Sequence, residues 1–575
     1  MMKLRILFIS LAIISLFSAC GSVDAPQTWR PVELAFNSAH DYSATGADEV
    51  MMDVIFTNKK TGETVSRPAF WDGDNRFLVR FAPISEGKWE WESSCAEDES
   101  LNAINGVFKC VAYDGDLAIY RNGFVKATPG IKYLTYADGT PFFYLGDTHW
   151  GMFTEEYDSP GPHAGNTGAS SHFKYIVDRR VEQGFTVYQS EPISAPFRLQ
   201  DGKVDQEDIE GFRLADKYFQ YIADAGLVHA NAQFFFPSDL KMELAADDKK
   251  LEAMSRYWVA RFGAYPVMWT LGQEIDNDSY NESGYNTRFS YKNNPWVKIA
   301  EFIHKHDSYS HPLSGHQESN VHTTVTGAGW KEDVSVGRSA SIFMSEEVAD
   351  RTGHNWWAAQ WTPQLLEPVE PELIRDYWNS PRPAVNYEGR YCGLWTKDFG
   401  SRVQGWAAYL SGFFGYGYGA IDIWLYNSSF DAASPSYDTV DTITVADKLR
   451  PWCESIEYPS ANQMRHLRAY MESFDWWNLV PVLSDEPGFT ADAIAYAYAK
   501  TKDRHVLYFF NKDIVTGTLS SLQPTQEMEL SWFNPRTGEK AETLICTSDA
   551  SGKLVLPHKP DNQDWVLSVD IVTAK

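Results

Sequence analysis

The feature that most constrains the fold is a series of eight short apolar runs in the middle of the chain, separated by stretches with helical periodicity. Short apolar runs are typical of strands that are buried on both faces, as in a parallel sheet covered by helices. Eight strands that alternate with helices predict a closed (β/α)8 barrel, which is an α/β fold. The predicted strands are 143–146, 186–189, 229–235, 267–271, 312–315, 357–360, 384–386 and 420–424.

Two apolar runs that open with proline close with a glutamate, one at Glu274 and the other at Glu388. The carboxyl ends of barrel strands form the rim at which active sites lie. Two carboxyls from different strands can cleave a glycosidic bond, because one protonates the leaving oxygen while the other attacks the sugar or activates water. The pair predicts a glycoside hydrolase. The alternative for either glutamate alone is a helix cap or an ion pair with a nearby arginine.

The two glutamates need opposite environments. The general acid must be protonated near neutral pH, and Trp269 together with the negative charge of Glu388 would raise the pKa of Glu274. The other carboxylate must stay ionised, so it needs hydrogen-bond donors. Strand alternation puts Asn386 on the same face as Glu388 and leaves Tyr387 pointing away.

The regions on either side of the predicted barrel have a different pattern, in which apolar and polar residues alternate between turns rich in Gly, Asp and Asn. Alternation with a period of two predicts the half-buried strands of antiparallel sandwiches. The stretches are 51–56, 77–81 and 88–92 before the barrel, and 506–510, 528–532 and 565–569 after it. The predicted domains are an amino-terminal β-sandwich over 27–115, the barrel over 118–475 and a carboxyl-terminal β-sandwich over 485–575.

Residues 1–20 have the pattern of an export signal. Two basic residues precede an apolar stretch over 6–17, and small residues over 18–21 form a cleavage site, with Cys20 as the residue after the cut. This arrangement resembles a bacterial lipoprotein signal, in which the cysteine is lipidated and becomes the new amino terminus. We therefore expect an exported protein anchored by lipid at the cell envelope, on the outer membrane or the periplasmic side. The alternative is an ordinary secretory signal with a free cysteine.

Charge and motifs exclude several other functions. The formal net charge is −27 at pH 7 and no cluster of lysine and arginine appears, whereas nucleic-acid binding needs such a cluster. The glycines over 412–419 lack the Lys-Ser/Thr of a phosphate-binding loop, and we interpret them as a tight passage from a helix to the eighth strand. The sequence predicts no cofactor.

Five cysteines remain after Cys20, and their spacing fits no metal motif, so no structural metal is expected. An exported protein can form disulfides, and Cys95 with Cys110 is one possible pair. Because five is an odd number, the pairing stays open.

Polar or aromatic side chains follow most of the predicted strands and are candidates for holding a sugar at the rim. Carboxylates can accept hydrogen bonds from two adjacent hydroxyls, and tryptophan faces cover the apolar side of a sugar ring. The substrate-binding candidates are Asp147, His149, Trp150, Gln189, Gln233, His316, Gln360, Trp361, Asn386, Tyr391 and Trp424. Glu191 also follows the second strand. Three of these residues have an alternative, structural interpretation: Asp147 as a helix cap, His316 as a histidine satisfied in the core, and Glu191 as one half of an ion pair in a loop.

Four segments of the barrel region resemble the apiosidase-like family of barrel glycosidases. They are FFYLGDTHW over 142–150, WTLGQE over 269–274, NYEGRY over 386–391, and SGFFGYGYGA over 411–420 with Trp424 following. WFNPRTG over 532–538 is similar to a carboxyl-terminal sandwich of that family named for collagen binding, and residues 81–89 resemble the small sandwich often fused in front. The resemblance covers nearly the whole mature chain.

The resemblance implies a retaining mechanism with Glu274 as general acid and base and Glu388 as nucleophile. Retention needs the two carboxyls about 5 to 5.5 Å apart, whereas inversion needs roughly 6.5 to 9.5 Å. Relatives that carry aspartate near the fourth strand make Asp276 the reserve candidate for the acid. The expected substrate is a plant or microbial polysaccharide or oligosaccharide.

Two other classes of function stay open: a glycan-binding lipoprotein on a barrel without catalysis, and a protein-binding or collagen-binding surface protein. The first predicts that glutamine at Glu274 or Glu388 changes neither binding nor turnover. The second would require a long exposed groove or strand edge on the last domain. The sugar and linkage, exo or endo cleavage, the oligomeric state and the membrane face stay open as well.

Overall fold

The computed structural model of the chain describes residues 25–199, 201–235, 239–273, 275, 295–316, 346–361, 369, 371–393, 398–424, 450–486, 495–510 and 513–572. Side chains within these ranges are outside the description at 242, 346, 347, 358–361, 373, 376 and 424. The predicted residues Cys20, Glu274 and Asp276 lie outside the described residues.

The amino-terminal region is an antiparallel sandwich, as predicted. Its strands are β1 (Val32–Asn37), β2 (Asp53–Asn58), β3 (Thr64–Pro68), β4 (Phe70–Trp71), β5 (Arg76–Phe81), β6 (Gly87–Ser94) and β7 (Asn105–Cys110). One sheet has the order β1-β5-β4 and the other the order β3-β2-β6-β7. In β6, Trp89 and Trp91 are buried while the residues between and beside them are more exposed, so the period-two pattern defines the core face.

The middle of the chain forms a curled parallel sheet. Its strands are β8 (Tyr144–His149), β9 (Val187–Ser190), β10 (Val228–Phe234), β11 (Val267–Gly272), β12 (Ala358–Trp361), β13 (Ala384–Glu388) and β14 (Gly415–Tyr418). Within the described residues the order is β11-β10-β9-β8-β14-β13-β12, and all neighbours are parallel.

Within the described part of the barrel, Leu313 joins the two ends of this sheet. Leu313 makes parallel bridges to Trp269 on one side and to Trp356 on the other. The Leu313 amide donates to the Asn355 carbonyl, and the flanking Ser314 amide donates to the Trp269 carbonyl at 2.7 Å. The predicted fifth strand is therefore reduced to one bridge, yet it sits where a fifth strand closes an eight-membered ring.

Helices surround the curled sheet. They are α1 (Ala118–Arg121), α2 (His172–Glu182), α3 (Ile209–Asp224), α4 (Met242–Ala245), α5 (Asp248–Phe262), α6 (Pro295–His306), α7 (Glu346–Thr352), α8 (Pro371–Asn379), α9 (Asp398–Leu410), α10 (Ile421–Trp424), α11 (Trp452–Ser455) and α12 (Pro459–Met471). Short 3-10 turns occur at Glu99–Leu101, Met152–Thr154, Gln206–Asp208 and Trp476–Asn478. No helix in the described ranges is both long and apolar enough to cross a bilayer.

Capping and periodicity explain the long helices. The Ser171 side chain accepts from the Lys174 amide at the start of α2, and Asp247 does the same for the Lys250 amide at the start of α5. In α3 the buried residues recur at helical spacing, which gives one apolar face toward the sheet.

The predicted position of the eighth strand is wrong. We predicted it at 420–424, but the strand is β14, and Ile421–Trp424 is the helical turn α10. The glycine run is thus the strand itself and not only the passage that leads to it. The apolar run after Ala420 resembles a strand in composition, whereas Gly and Tyr alternate in β14 because only one of its faces has room for side chains.

The carboxyl-terminal region is antiparallel, as predicted. Its strands are β15 (Val480–Pro481), β16 (Ala497–Lys500), β17 (Arg504–Phe509), β18 (Thr518–Leu519), β19 (Glu527–Phe533), β20 (Leu544–Thr547), β21 (Leu554–Val555) and β22 (Trp565–Ile571). The larger sheet has the order β15-β16-β17-β22-β19-β20, and β18 pairs with β21. The edge strand β20 has only four residues, so the long strand edge required for a protein-binding surface is not found there.

A buried ion pair fixes this sandwich to the barrel. The guanidinium of Arg402 on α9 donates to both carboxylate oxygens of Asp564, at 2.7 and 2.8 Å. The hydroxyl of Tyr508 donates to the same carboxylate, and its ring stacks on Trp406. The predicted fold class, an α/β barrel flanked by two β-sandwiches, is confirmed.

Candidate active site

Glu388 is the last residue of β13 and lies at the carboxyl-end rim of the barrel. Only 5% of its surface is exposed. Its Oε1 accepts a hydrogen bond from the Tyr391 hydroxyl. Its Oε2 lies 2.9 Å from Nε2 of His316, although the two atoms do not meet the geometry of a hydrogen bond. Both neighbours were predicted from the sequence as rim residues, and the structure brings them together on Glu388.

Trp150, which follows β8, supports both neighbours of Glu388. Its indole N–H donates to the Tyr391 hydroxyl at 2.7 Å, and its ring stacks on the His316 imidazole with centroids 5.5 Å apart. The Tyr387 ring packs against the same tryptophan and histidine. Trp150 is fully buried, so it contacts protein groups at the site where we predicted a sugar contact.

A register shift in β13 places Tyr387 and Glu388 at the same site. Gln360 pairs with Asn386, but the next residue, Trp361, pairs with Glu388, so Tyr387 has no opposite residue. Such a bulge breaks the alternation of faces. The prediction that Tyr387 points away from the site is therefore wrong: its ring packs on His316, the residue that contacts Glu388.

Gln189 holds this bulge from β9. Its amide N–H donates to the Tyr387 carbonyl at 2.9 Å, and its carbonyl accepts from the Tyr144 hydroxyl at 3.1 Å. The side chain is completely buried and satisfied by protein groups. Gln189, which we predicted to bind substrate, therefore lies beneath the rim and fixes the backbone that carries Glu388.

The bare face of β14 makes room for these groups. A Cβ on Gly417 would lie 1.8 Å from the Tyr387 carbonyl oxygen, and one on Gly419 would lie 2.3 Å from the Tyr391 ring. The tyrosines between the glycines face the helices, since the Tyr418 hydroxyl bonds to Ser460 on α12. Gly and Tyr thus alternate because the inner face is filled from neighbouring strands.

Asp147 and His149 form a buried ion cluster on the helix side of β8. His149 Nδ1 lies 2.6 Å from Glu155 Oε1, and its Nε2 lies 2.7 Å from Asp147 Oδ2. Arg180 on α2 donates to the same Asp147 oxygen at 2.5 Å. The prediction that Asp147 and His149 contact substrate does not agree with this enclosure. The pattern of β8 did not reveal it, because the counterion is 33 residues away in the sequence.

The electrostatics of this cluster favour its charged form. Burial by itself lowers the pKa of His149, but the carboxylates of Glu155 and Asp147 raise that pKa to about 9. Burial raises the pKa of Asp147, whereas the charges of Arg180 and His149 bring it below its ordinary value. His149 is therefore an imidazolium at neutral pH.

The fourth strand approaches the same rim. The backbone N–H of Gln273 donates to the Phe235 carbonyl at 2.9 Å, and the backbone N–H of Ile275 donates to the His316 carbonyl at 3.1 Å. Leu271 has a left-handed backbone with φ of 57°, which interrupts the alternation just before this point. Trp269, expected beside Glu274, is directed elsewhere: its indole N–H donates to Asp307 at 3.0 Å.

The remaining predicted residues are Gln233, Asn386, Gln360, Trp361 and Trp424. Gln233 is buried beside Phe197, Phe235 and Asp239 in a cavity of about 20 Å³. Asn386 is buried and its backbone pairs with Tyr416. The backbones of Gln360 and Trp361 belong to β12 and that of Trp424 to α10, while their side chains lie outside the described set.

Glu191 is the acidic residue whose position at the rim the sequence left open. It follows β9 and is completely buried. Burial first, and then the neighbouring Tyr144 and Glu191, raise the pKa of the Tyr387 hydroxyl far above its ordinary value. Glu191 thus lies on the same side of the barrel as Glu388. Its place two residues after the strand predicted at 186–189 was the available signal, but Pro192 favoured a loop interpretation.

The five cysteines after Cys20 are free thiols, so the pairing of Cys95 with Cys110 is not formed. In the described part of the chain, no group of three or more His, Cys, Asp or Glu side chains is arranged to hold a metal ion.

Comparisons with known proteins agree with this architecture. A family model described as "Apiosidase-like, catalytic domain" matches residues 128–478, a domain of unknown function (DUF5060) matches 25–96, and a "Putative collagen-binding domain of a collagenase" matches 485–570. No curated protein matches the chain.

Solved structures share the fold at low sequence identity. A Bacteroides vulgatus protein described as a "putative glycoside hydrolase" is 14% identical with a TM-score of 0.65, over 96% of this chain and 100% of that one. A glycoside hydrolase family 5 protein from the same organism is 16% identical with a TM-score of 0.54, over 78% of this chain and 93% of that one. Since the apiosidase-like model covers more than half of the sequence, the chain belongs to the apiosidase-like family and is a glycosidase.

Proposed function

We propose that this glycosidase hydrolyses its substrate with retention of configuration, with Glu388 as the nucleophile and Glu274 as the general acid and base. The observation that carries the proposal is the environment of Glu388: a carboxylate at the end of the seventh barrel strand, with Tyr391 on one oxygen and His316 on the other. A carboxylate that attacks the anomeric carbon must be held in a fixed orientation, and neighbours on both of its oxygens supply that orientation.

The assignment of Glu274 is supported by its two neighbours in the chain. Gln273 is bonded to the end of the third strand, and Ile275 is bonded to the backbone of His316. The side chain of that histidine contacts Glu388. The backbone on both sides of Glu274 is thus tied to residues of the same rim. A separation of about 5 to 5.5 Å between the two carboxyls would permit retention.

Two other acids compete for the role of proton donor. Asp276 remains the reserve candidate from the sequence, and Glu191 is a buried carboxyl at the end of the second strand. A general acid must share the rim with the nucleophile and have a raised pKa, which burial favours. Variants of all three acids therefore belong in the same experiment.

The proposed substrate is a plant or microbial polysaccharide or oligosaccharide. The match of residues 128–478 to an apiosidase-like catalytic domain supports a carbohydrate substrate. We further propose that the protein is exported and held at the cell envelope by a lipid on Cys20, on the strength of the signal pattern over residues 1–20.

The decisive experiment determines product configuration and then removes each carboxyl. An aryl glycoside that the wild type hydrolyses is followed by NMR, and the first product should have the anomeric configuration of the substrate. Glu388→Ala should lower kcat/KM by at least about a thousandfold. Glu388→Gln, which keeps the volume of the side chain, controls for loss of folding.

Added azide separates the roles of the two acids. In Glu388→Ala the azide enters the space of the lost carboxylate, forms the C–N bond as the aryloxide departs, and gives a glycosyl azide of inverted configuration. In the variant that lacks the acid and base, azide attacks the glycosyl-enzyme and gives the retained azide. Glu274→Ala, Asp276→Ala and Glu191→Ala are compared, and only Glu274→Ala should give the retained product. Full activity of Glu388→Ala would remove Glu388 from the mechanism.

A further inference from the structure

The ion cluster at the end of β8 is not used by the chemistry proposed above. It contains the imidazolium of His149, the carboxylates of Asp147 and Glu155, and the guanidinium of Arg180, all buried. The two positive and two negative charges compensate each other. A buried charge is costly unless it is paired, so each of the four side chains is held where its partners are.

The cluster fixes the backbone of His149 to three other elements. Glu155 Oε2 accepts from the Tyr188 hydroxyl of β9 at 3.0 Å, and the Glu155 carbonyl accepts from the Tyr218 hydroxyl of α3 at 2.5 Å. The His149 ring stacks on Tyr188 with centroids 4.1 Å apart. Arg180 connects the cluster to α2. The end of β8 is therefore held from several sides.

The next residue in the chain is Trp150, and both known neighbours of Glu388 rest on it. Its indole N–H donates to Tyr391, whose own hydroxyl hydrogen is donated to Glu388. Its ring stacks on His316, which contacts the other oxygen of Glu388. A chain of contacts thus runs from the buried charges to the nucleophilic carboxylate.

We propose that the ion cluster around His149 holds Trp150 in place, and that Trp150 aligns Tyr391 and His316 on Glu388. His149 and Trp150 are then positioning residues for the reaction. This inference rests on the proposed role of Glu388 as the nucleophile. It adds a part of the barrel, the end of the first strand, that makes no contact with the carboxylate itself.

The proposal predicts an effect on the ionisation of Glu388. A hydroxyl that accepts an N–H bond becomes a better donor, so Trp150 strengthens the bond from Tyr391 to Glu388. Weakening that bond raises the pH at which Glu388 ionises, which the acid limb of kcat/KM against pH reports. Among the described residues, the titratable groups that face Glu388 are His316 and Tyr391, with Tyr387 and Glu191 beyond them. Glu274 is the further carboxyl that the proposed mechanism brings to this rim.

Several titratable and charged groups surround His149. His149 faces Asp147, Glu155, Arg180 and Tyr188, and its own pKa is raised to about 9. The two nearest histidines, His172 and His229, have pKa values lowered to about 3, mainly by burial. Because Asp147 and Glu155 lose a partner when His149 is replaced, a shift of the acid limb is assigned to Glu388 only where Trp150→Phe, which leaves the cluster intact, moves the limb as well.

The test compares kcat/KM from pH 4 to 8 for wild type and three variants on an aryl glycoside with a good leaving group, which needs little proton donation. Tyr391→Phe removes the direct donor and sets the largest expected shift. Trp150→Phe keeps a ring but loses the N–H, and it should lower kcat/KM about 5- to 20-fold and move the acid limb up by about half a pH unit. His149→Gln should move the limb in the same direction.

His229→Gln is the matched control. His229 is also buried on the helix side of the barrel, where it bonds to Ser190. Its variant should leave the acid limb unchanged.

The positioning role would be overturned if the acid limb moves in Tyr391→Phe but stays in place in both Trp150→Phe and His149→Gln. Should His149→Gln fail to fold, Trp150→Phe decides the role of Trp150, and Tyr188→Phe, which removes the hydroxyl that donates to Glu155, decides the role of the cluster by the same limb. Glu388→Ala is measured in parallel: its full activity refutes the proposed nucleophile, whereas its inactivity with unmoved limbs refutes only the positioning role.

Discussion

Neutralising His149 should destabilise the folded protein at alkaline pH. The histidine is completely buried between two carboxylates, and its pKa rises from 6.5 to about 9 because the charges of Glu155 and Asp147 outweigh the cost of burial. A group whose pKa is higher in the folded state binds its proton more tightly there. The stabilisation by His149 is therefore complete below pH 6.5 and is lost as the pH rises through 9.

The size of the effect follows from the two pKa values of His149. A difference of 2.5 between them, at about 1.36 kcal/mol for each unit, corresponds to about 3 kcal/mol of free energy of unfolding. For a cooperative unit as large as the matched barrel region, about 350 residues, this shifts the unfolding midpoint by about 4 °C.

The assay measures thermal unfolding of wild type and His149→Gln between pH 5 and 10. The stability difference between the two proteins should be largest below pH 6.5 and should shrink by about 3 kcal/mol by pH 10. His229→Gln is the control with the opposite sign. Burial lowers the pKa of His229 to about 3, so its contribution is lost as the pH falls from 6.5 toward 3. A constant difference between wild type and His149→Gln from pH 6 to 10 would refute the assignment of an imidazolium.

Two further substitutions test the barrel interior and the domain interface. Gly417→Ala places a Cβ 1.8 Å from the Tyr387 carbonyl oxygen. We expect it to lower the free energy of unfolding by about 3 kcal/mol and kcat/KM by at least about tenfold. The control is Gly405→Ala, whose Cβ would lie 3.2 Å from its nearest atoms, and it should stay near wild type in unfolding and kinetics. Equal behaviour of the two variants would contradict the steric argument. Arg402→Met leaves Asp564 buried without its guanidinium, which should cost about 3 to 5 kcal/mol and give the carboxyl-terminal sandwich an earlier calorimetric transition. A single unchanged transition would show that the ion pair does not join the domains.

The parts of the fold that follow local periodicity were predictable from the sequence. Buried runs that alternate with helical stretches indicated the barrel, and period-two alternation indicated both sandwiches. The position of Glu388 at a strand end, with Tyr391 three residues later and His316 after the fifth strand, came from the same reasoning. These contacts depend on where strands end, and in parallel sheets the ends meet at one rim.

Features that depend on pairing between distant segments were not predictable. The register shift beside Tyr387 is a property of two strands together, and a one-residue slip reverses which face a side chain occupies. The enclosure of Asp147 depends on Arg180 from the following helix. The strand predicted at 312–315 is reduced to bridges at Leu313 alone, and the local pattern could not show how short it is.

Three features beneath Glu388 act together: the register shift in β13, the side-chain amide of Gln189 and the glycine face of β14. The register shift leaves Tyr387 without an opposite residue, and its carbonyl extends toward the face of β14 that Gly417 leaves empty. Gln189 donates to that carbonyl, so a polar group in the barrel interior is satisfied. Because the same carbonyl precedes Glu388, its position fixes the direction in which the carboxylate leaves the strand. A glycine on one strand and a glutamine on another therefore determine the orientation of an acid on a third.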